Sequence, residues 1–121
     1  MLVQDLYYIK QIKSSDGIQA VIEINAVHPI FRGHFPEIPV LPGVCMIQII
    51  KELIEMEEQI STTLKHSDMI KFLSMLNPEL SNILDVDIKF KERTSEYIAY
   101  NAVIKNEATT IIKNSGQLYF N

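Results

Sequence analysis

The stretch that decides the fold is residues 28–44, which read HPIFRGHFPEIPVLPGV. Four of the five prolines of the chain lie in it, at positions 29, 36, 39 and 42. Because proline fixes φ and removes a backbone donor, this stretch suits neither a regular helix nor an inner strand. We therefore expect one stiff, irregular connection between the regular elements on either side.

A long helix is predicted directly after this connection, from Gly43 to about Ser61, because no glycine or proline interrupts its interior. At about 100° per residue, apolar residues collect on one side and polar residues on the other. The apolar side carries Met46, Ile49, Ile50, Leu53, Met56 and Ile60, and the polar side carries Gln48, Lys51, Glu52 and Glu55. Residues 44–50 are apolar almost all round, which predicts a helix that is buried on more than one face.

Alternating patterns predict strands on both sides of the helix. Residues 6–13 and 17–25 form an expected hairpin around the turn at Ser14-Ser15-Asp16-Gly17. Further strands are expected at 68–76, 84–91, 96–105 and 109–120, with a longer connection at 77–82. Short connections favour antiparallel pairing, so the predicted class is α+β, with one buried helix on a curled antiparallel sheet.

The length and charge of the chain exclude several functional classes. The 121 residues suit a single domain over residues 1–121, and the net charge of −4 argues against a nucleic-acid binder. No apolar run reaches the ~18 residues of a membrane span, and the first residues do not resemble a signal peptide, so we expect a cytoplasmic protein. Cys45 is the single cysteine, which excludes an internal disulfide.

The chemistry-bearing residues lie in the proline-rich stretch. His34 can exchange a proton near neutral pH, and Gly33 beside it permits a close backbone approach. The first amides of the predicted helix, those of Gly43 and Val44, have no intrahelical acceptor and lie at the positive end of the helix dipole. A proton acceptor next to donors for a carbonyl oxygen suits chemistry alpha to a carbonyl group.

The order Gly33-His34-Phe35-Pro36, then Pro39, then Pro42-Gly43-Val44 resembles the motif G-H-F-P-x-x-P-x-x-P-G-V of the hot-dog-fold 3-hydroxyacyl-acyl-carrier-protein dehydratases. The resemblance implies a hot-dog fold in which a curled antiparallel sheet wraps a long central helix. It also implies a dimer whose two sheets join edge to edge, with active sites between the subunits.

The same resemblance implies a role for each matching residue. His34 removes the C2 proton of a 3-hydroxyacyl thioester, and the Gly43 amide holds the thioester carbonyl. Phe35, Pro42 and Val44 are expected to contact the substrate. No cofactor is implied, and the expected partners are an acyl carrier protein or an acyl-CoA thioester in fatty-acid or polyketide-like biosynthesis.

One position departs from the family pattern. The family's acid lies fourteen residues after the histidine, on the helix of the other subunit, and here that residue is Gln48. A primary amide does not donate a proton as an acid does near neutral pH, although it can orient a hydroxyl group or a water. Glu52, one helical turn further on, and Glu37, on the loop, are the two candidates for a replacement acid.

Other residues favour ordinary structural roles. His28 and His66 are expected at the surface, and Cys45 is expected to be a small buried filler rather than a nucleophile. The three histidines show no metal-ligand spacing, so we expect no metal. The methionines are expected in the core or along an acyl tunnel. Four basic residues could form a patch that binds an acidic carrier, namely Arg32, Lys89, Lys91 and Arg93. The neighbouring Asp85 and Asp87 favour the alternative, a solvated mixed-charge face.

Two further hypotheses retain the fold and change the function. The chain is either a thioesterase, which hydrolyses an acyl thioester, or a non-catalytic acyl-binding or partner subunit. In the second case it would supply His34 to one site of a heterodimer, while the half-site that contains Gln48 is inactive.

Overall fold

The computed structural model describes residues 2–33 and 39–121 and contains one sheet and two helices within them. The elements, in chain order, are β1 (Tyr7–Ser14), β2 (Gly17–Ile24), α1 (Ile30–Gly33), α2 (Gly43–Glu58), β3 (Thr62–Phe72), β4 (Ile83–Arg93), β5 (Tyr97–Asn106) and β6 (Thr109–Phe120). This order agrees with the predicted order of strands around one long helix.

All six strands belong to one sheet, in the order β1-β2-β4-β5-β6-β3, and every neighbouring pair is antiparallel. The predicted hairpin is confirmed, since β1 pairs with β2. Apolar residues of β2 and β4 lie opposite each other on one face of the sheet, where Ile18 pairs with Ile88 and Ile22 pairs with Leu84. These side chains are buried together with the apolar side chains of α2, so the curled sheet wraps the helix, and the predicted α+β hot-dog fold is confirmed.

Helix α2 is shorter than predicted, because it ends at Glu58 and not near Ser61. Gln59 adopts a left-handed conformation, with φ of 55°, and its backbone N–H donates to the Glu55 carbonyl. The Ile60 N–H donates to the same carbonyl at 3.1 Å. Such a left-handed cap satisfies the last carbonyls of a helix and turns the chain away from its axis.

Strand β3 begins at Thr62, six residues before the predicted start at Asp68, and ends at Phe72, before the predicted end at Leu76. The register of β3 against β6 shifts twice, between Leu64 and His66 and again between Ser67 and Met69. Each irregularity interrupts the alternation of side chains that identifies a strand in a sequence. The first half of β3 therefore lacks the pattern that would have predicted it.

Candidate functional site

The chain enters the motif through the short helix α1, and His28 organises its first turn. The Ile30 N–H donates to Nδ1 of His28 at 3.0 Å, so the ring proton lies on Nε2, which contacts the Asp5 carboxylate at 3.1 Å. The side chain of His28 is only 15% exposed, which corrects the expected surface position. His28 is thus used to hold the backbone. The candidate site residues His34, Phe35 and Glu37 lie outside the described residues.

The start of helix α2 has the geometry expected of a carbonyl-binding amide. Pro42 is the N-cap, with extended dihedral angles of φ −64° and ψ 143°, and it makes no side-chain capping hydrogen bond. The chain just before it is fixed because the Leu41 N–H donates to the Leu76 carbonyl at 3.0 Å. Gly43 is therefore the first helical residue, where the N–H has no acceptor within the helix.

An aromatic ring covers the α-carbon of Gly43. A Cβ atom built at Gly43 would lie 2.2 Å from Cε1 of Phe72, far inside normal contact distance. Any side chain at this position would therefore require the Phe72 ring to move. The segment after Phe72 remains largely open, since Leu73 is 54% and Met75 is 74% exposed, and Val44 beside Gly43 is 75% exposed. An exposed apolar rim of these four residues, Val44, Phe72, Leu73 and Met75, thus surrounds the helix start.

The polar side of α2 contains the largest departure from the sequence prediction. Glu52, expected on a solvated helix face, is completely buried. Its Oε2 accepts hydrogen bonds from the Leu2 N–H at 2.7 Å and from Nε2 of Gln48 at 2.9 Å. Its Oε1 accepts from the Val3 N–H and from the Tyr7 hydroxyl, both at 3.0 Å. Residues 2–7 cross the helix at this point, and Glu52 binds them to it.

This arrangement determines what each carboxylate and amide can do. All four contacts of Glu52 are donations to its oxygens, so this carboxylate is fully engaged as a hydrogen-bond acceptor. Burial, followed by the charge of Glu52, raises the pKa of Tyr7, so the phenol stays protonated and donates. Although Gln48 belongs to the polar side of the helix, it is half-buried and hydrogen-bonded to Glu52.

Cys45 and His66 lie where the sequence predicts. Cys45 is 6% exposed, and burial raises the pKa of its thiol, which suits a core filler and not a nucleophile. His66 is exposed on β3. Within residues 2–33 and 39–121, no three His, Cys, Asp or Glu side chains are close enough together to bind a metal ion.

The acidic and basic residues expected on the mixed-charge face of β4 are exposed. Lys89, Lys91, Asp85 and Asp87 are all exposed on β4, and Arg93 at its end is paired with Glu58 of α2. Among the methionines, Met46 is buried in the core and Met75 is exposed at the helix start. None of the helices in the described part of the chain is long and apolar enough to cross a bilayer.

Comparison with known proteins agrees with the fold and the motif. Residues 10–113 match the family described as ApeI-like, ApeI dehydratase. The 3-hydroxyacyl-(acyl-carrier-protein) dehydratase FabZ of Pseudothermotoga lettingae is 28% identical over 98 residues, which are 77% of this chain and 69% of that protein.

Two solved structures share the fold. The dehydratase heterocomplex ApeI:P from Xenorhabdus doucetiae superposes with a TM-score of 0.74 at 19% identity, covering 93% of this chain and 96% of that one. A hypothetical thioesterase with coenzyme A from Streptococcus pneumoniae has a TM-score of 0.68 at 13% identity, covering 95% of this chain and 85% of that one. The match over residues 10–113 shows that the chain belongs to the ApeI-like dehydratase family, and its fold is the hot-dog fold.

Proposed function

We propose that this protein is a dehydratase that eliminates water from a 3-hydroxyacyl thioester, carried by acyl carrier protein or coenzyme A, in fatty-acid or polyketide-like biosynthesis. The observation that carries the proposal is the motif from Gly33 to Val44, which leads into a helix whose first amide, at Gly43, has no intrahelical acceptor. Membership of a dehydratase family supports the same reaction.

The proposed step needs only a base and a carbonyl donor. The Gly43 N–H donates to the thioester carbonyl and stabilises the negative charge that develops there when His34 removes the C2 proton. The electron pair of the broken C2–H bond forms the C2–C3 double bond as the C3–O bond breaks. The departing hydroxide needs one proton, and protonated His34 holds the proton that was taken from C2. Gln48 orients the hydroxyl group and supplies no proton.

A homodimer is part of the proposal. Strand β3 is an edge of the sheet, so it can pair with the β3 of a second copy, and the apolar rim around Gly43 lies at the end of that strand. Apolar side chains this exposed are typical of a surface that binds a partner or an acyl chain. In such a dimer, His34 of one copy would face Gln48 of the other.

A second candidate is a partner subunit without activity of its own. It is favoured by the described geometry of α2, where Gln48 is an amide and the Glu52 carboxylate is fully engaged. The solved ApeI:P structure is itself a heterocomplex. Hydrolysis of the thioester is less favoured, because Glu52 is not free to activate a water.

Turnover of 3-hydroxyacyl pantetheine thioesters by the purified protein tests the first proposal. Replacing the base should lower the rate by roughly 10²- to 10⁴-fold in His34→Ala. Lys10→Ala is the control, since Lys10 is exposed on β1, at the edge of the sheet opposite β3, and it should leave the rate unchanged. A wild-type rate no higher than that of His34→Ala would reject the dehydratase proposal.

Two additional measurements separate the alternatives. Release of free thiol without an enoyl product would instead indicate a thioesterase. In Gln48→Glu, a large gain in dehydration would indicate that the site lacks only an acid, whereas no change in rate would favour the partner-subunit alternative.

A further inference from the structure

The buried carboxylate of Glu52 has no task in the proposed reaction, and yet it is in direct contact with Gln48. The distance from Nε2 of Gln48 to Oε2 of Glu52 is 2.9 Å. The other three donors to Glu52 are the Tyr7 hydroxyl and two backbone N–H groups, and the N–H groups, one on each carboxylate oxygen, can only donate. Glu52 is therefore held as an acceptor from every side.

This fixed acceptor determines which way the Gln48 amide points. A carboxylate can only accept, so the nitrogen end of the Gln48 amide faces Glu52 and the oxygen end, Oε1, faces away from it. Gln48 is half-buried and lines a groove of about 730 Å³ between α2 and the start of β3. Without Glu52, the two ends of the amide would be free to exchange by a rotation of the side chain.

Three neighbouring polar residues of this groove, Lys51, Glu55 and Thr62, are paired with one another. Nζ of Lys51 lies 3.8 Å from the Glu55 carboxylate. The same carboxylate accepts from the Thr62 N–H at 2.7 Å and from the Thr62 hydroxyl at 3.1 Å. Among the residues that the structure describes, it is Glu52 whose side chain hydrogen-bonds to the Gln48 amide.

We propose that Glu52 is a positioning residue that presents Oε1 of Gln48 to the groove as a hydrogen-bond acceptor, and that position 48 thereby selects acyl thioesters that carry a hydroxyl group at C3. The inference rests on the proposed function, because it assigns the bound hydroxyl group to a 3-hydroxyacyl thioester. A hydroxyl group donates to Oε1, whereas an acyl chain without one leaves this oxygen without a donor.

The first test observes the Gln48 side chain directly. In NMR spectra of nitrogen-15-labelled protein, the Gln48 side-chain amide should show a proton that exchanges slowly with water. That protection should be lost in Glu52→Leu, which has no acceptor, and retained in Glu57→Leu, the matched control on the same helix outside the groove. Tyr7→Phe removes one donor to Glu52 without removing the carboxylate, so it should also retain the protection. Retention of the signal in Glu52→Leu would overturn the positioning role.

The second test measures binding, so that it does not depend on turnover. Calorimetry in a His34→Ala background compares 3-hydroxyacyl-pantetheine with acyl-pantetheine of the same short and medium chain lengths. One hydrogen bond predicts a preference of roughly tenfold for the hydroxyl compound. The preference should approach one in Gln48→Leu and Glu52→Leu, and persist in Glu57→Leu.

The possible results distinguish a failure of the inference about Glu52 from a failure of the proposed dehydratase function. Equal binding of the two thioesters by the parent, or a preference that survives in Glu52→Leu, would overturn the inference and leave the proposed function standing. Binding of neither thioester, together with no turnover by the wild type, would overturn both.

Discussion

The contact between Gly43 and Phe72 gives a sharp test of the carbonyl-binding amide. In Gly43→Ala, the new Cβ would lie 2.2 Å from Cε1 and 2.4 Å from Cζ of the Phe72 ring. Ordinary carbon–carbon contacts are about 3.5–4.0 Å, so the ring must move by more than an ångström. Phe72 is 58% exposed, so it can swing out of the way and is not held in the core.

The expected cost follows from the covered part of the ring. Burying a whole phenylalanine contributes about 1.5–3 kcal/mol, so the smaller covered part of Phe72 contributes about 1 kcal/mol. Gly43→Ala should therefore lower the free energy of unfolding by about 1 kcal/mol at most, less a gain in helix propensity. In Phe72→Ala the obstacle is absent, and Gly43→Ala should then be neutral or stabilising.

Urea denaturation of the two single variants and the double variant measures this coupling. We expect the double variant to be more stable than the sum of the single effects by about 1 kcal/mol. Additive effects, to within about 0.3 kcal/mol, would refute the contact on which the argument depends.

The Phe72→Ala background then isolates the Gly43 N–H. Gly43→Pro removes the N–H at a first helical position, where proline is well tolerated, and the extended Pro42 before it already has the conformation that a following proline requires. Gly43→Ala retains the N–H and is the matched variant. Thioester turnover should be lower by roughly 10²- to 10³-fold in the proline variant alone. Equal rates in the two variants would refute the role of the amide.

Three other predictions concern the buried polar groups. Gln48→Glu places two carboxylates in contact, which raises a pKa of the pair. The stability lost relative to wild type should therefore be small near pH 4 and grow to at most about 4 kcal/mol by pH 8 in urea titrations. A difference independent of pH would contradict this. Burial raises the pKa of Tyr100 from 10.0 to about 12 and that of Tyr7 further, so the folded chain retains protons that the unfolded chain loses. Stability should therefore fall as the pH rises from 10 to 12, with a shallower slope in Tyr100→Phe. An equal slope would exclude Tyr100 as a source of this pH dependence. Asn114→Ala removes three hydrogen bonds of a fully buried side chain, including the one from the Tyr100 hydroxyl. It should lower the free energy of unfolding by about 2–4 kcal/mol in thermal or urea unfolding. A loss below about 1 kcal/mol would contradict a cooperative network.

Most of the fold was predictable because its signals are local. Alternation along β2 and β4 and the spacing of apolar residues along α2 depend only on neighbouring residues. The start of β3 was not predictable in this way. The second of its two register shifts is bridged from outside the strand, where Nδ2 of Asn114, on β6, donates to the Ser67 hydroxyl and to the Met69 carbonyl, both at 2.9 Å.

The residues of the candidate site were also only partly predictable from the sequence. The motif and the departure at Gln48 are evident in the sequence, because they are fixed residue types at fixed spacing. The burial of Glu52 is not, since its donors Leu2 and Val3 lie 50 and 49 residues away along the chain. A helical projection places a glutamate on the polar face and cannot show that another segment crosses that face.

The sequence by itself therefore determined the order of strands and helix and the residues of the motif, because periodicity and spacing are properties of short segments. Only the tertiary structure decided that Phe72 packs on Gly43 and that Glu52 is a buried acceptor for Gln48. Both contacts join segments that are distant in the chain, and a contact of that kind exists only once the sheet has wrapped the helix.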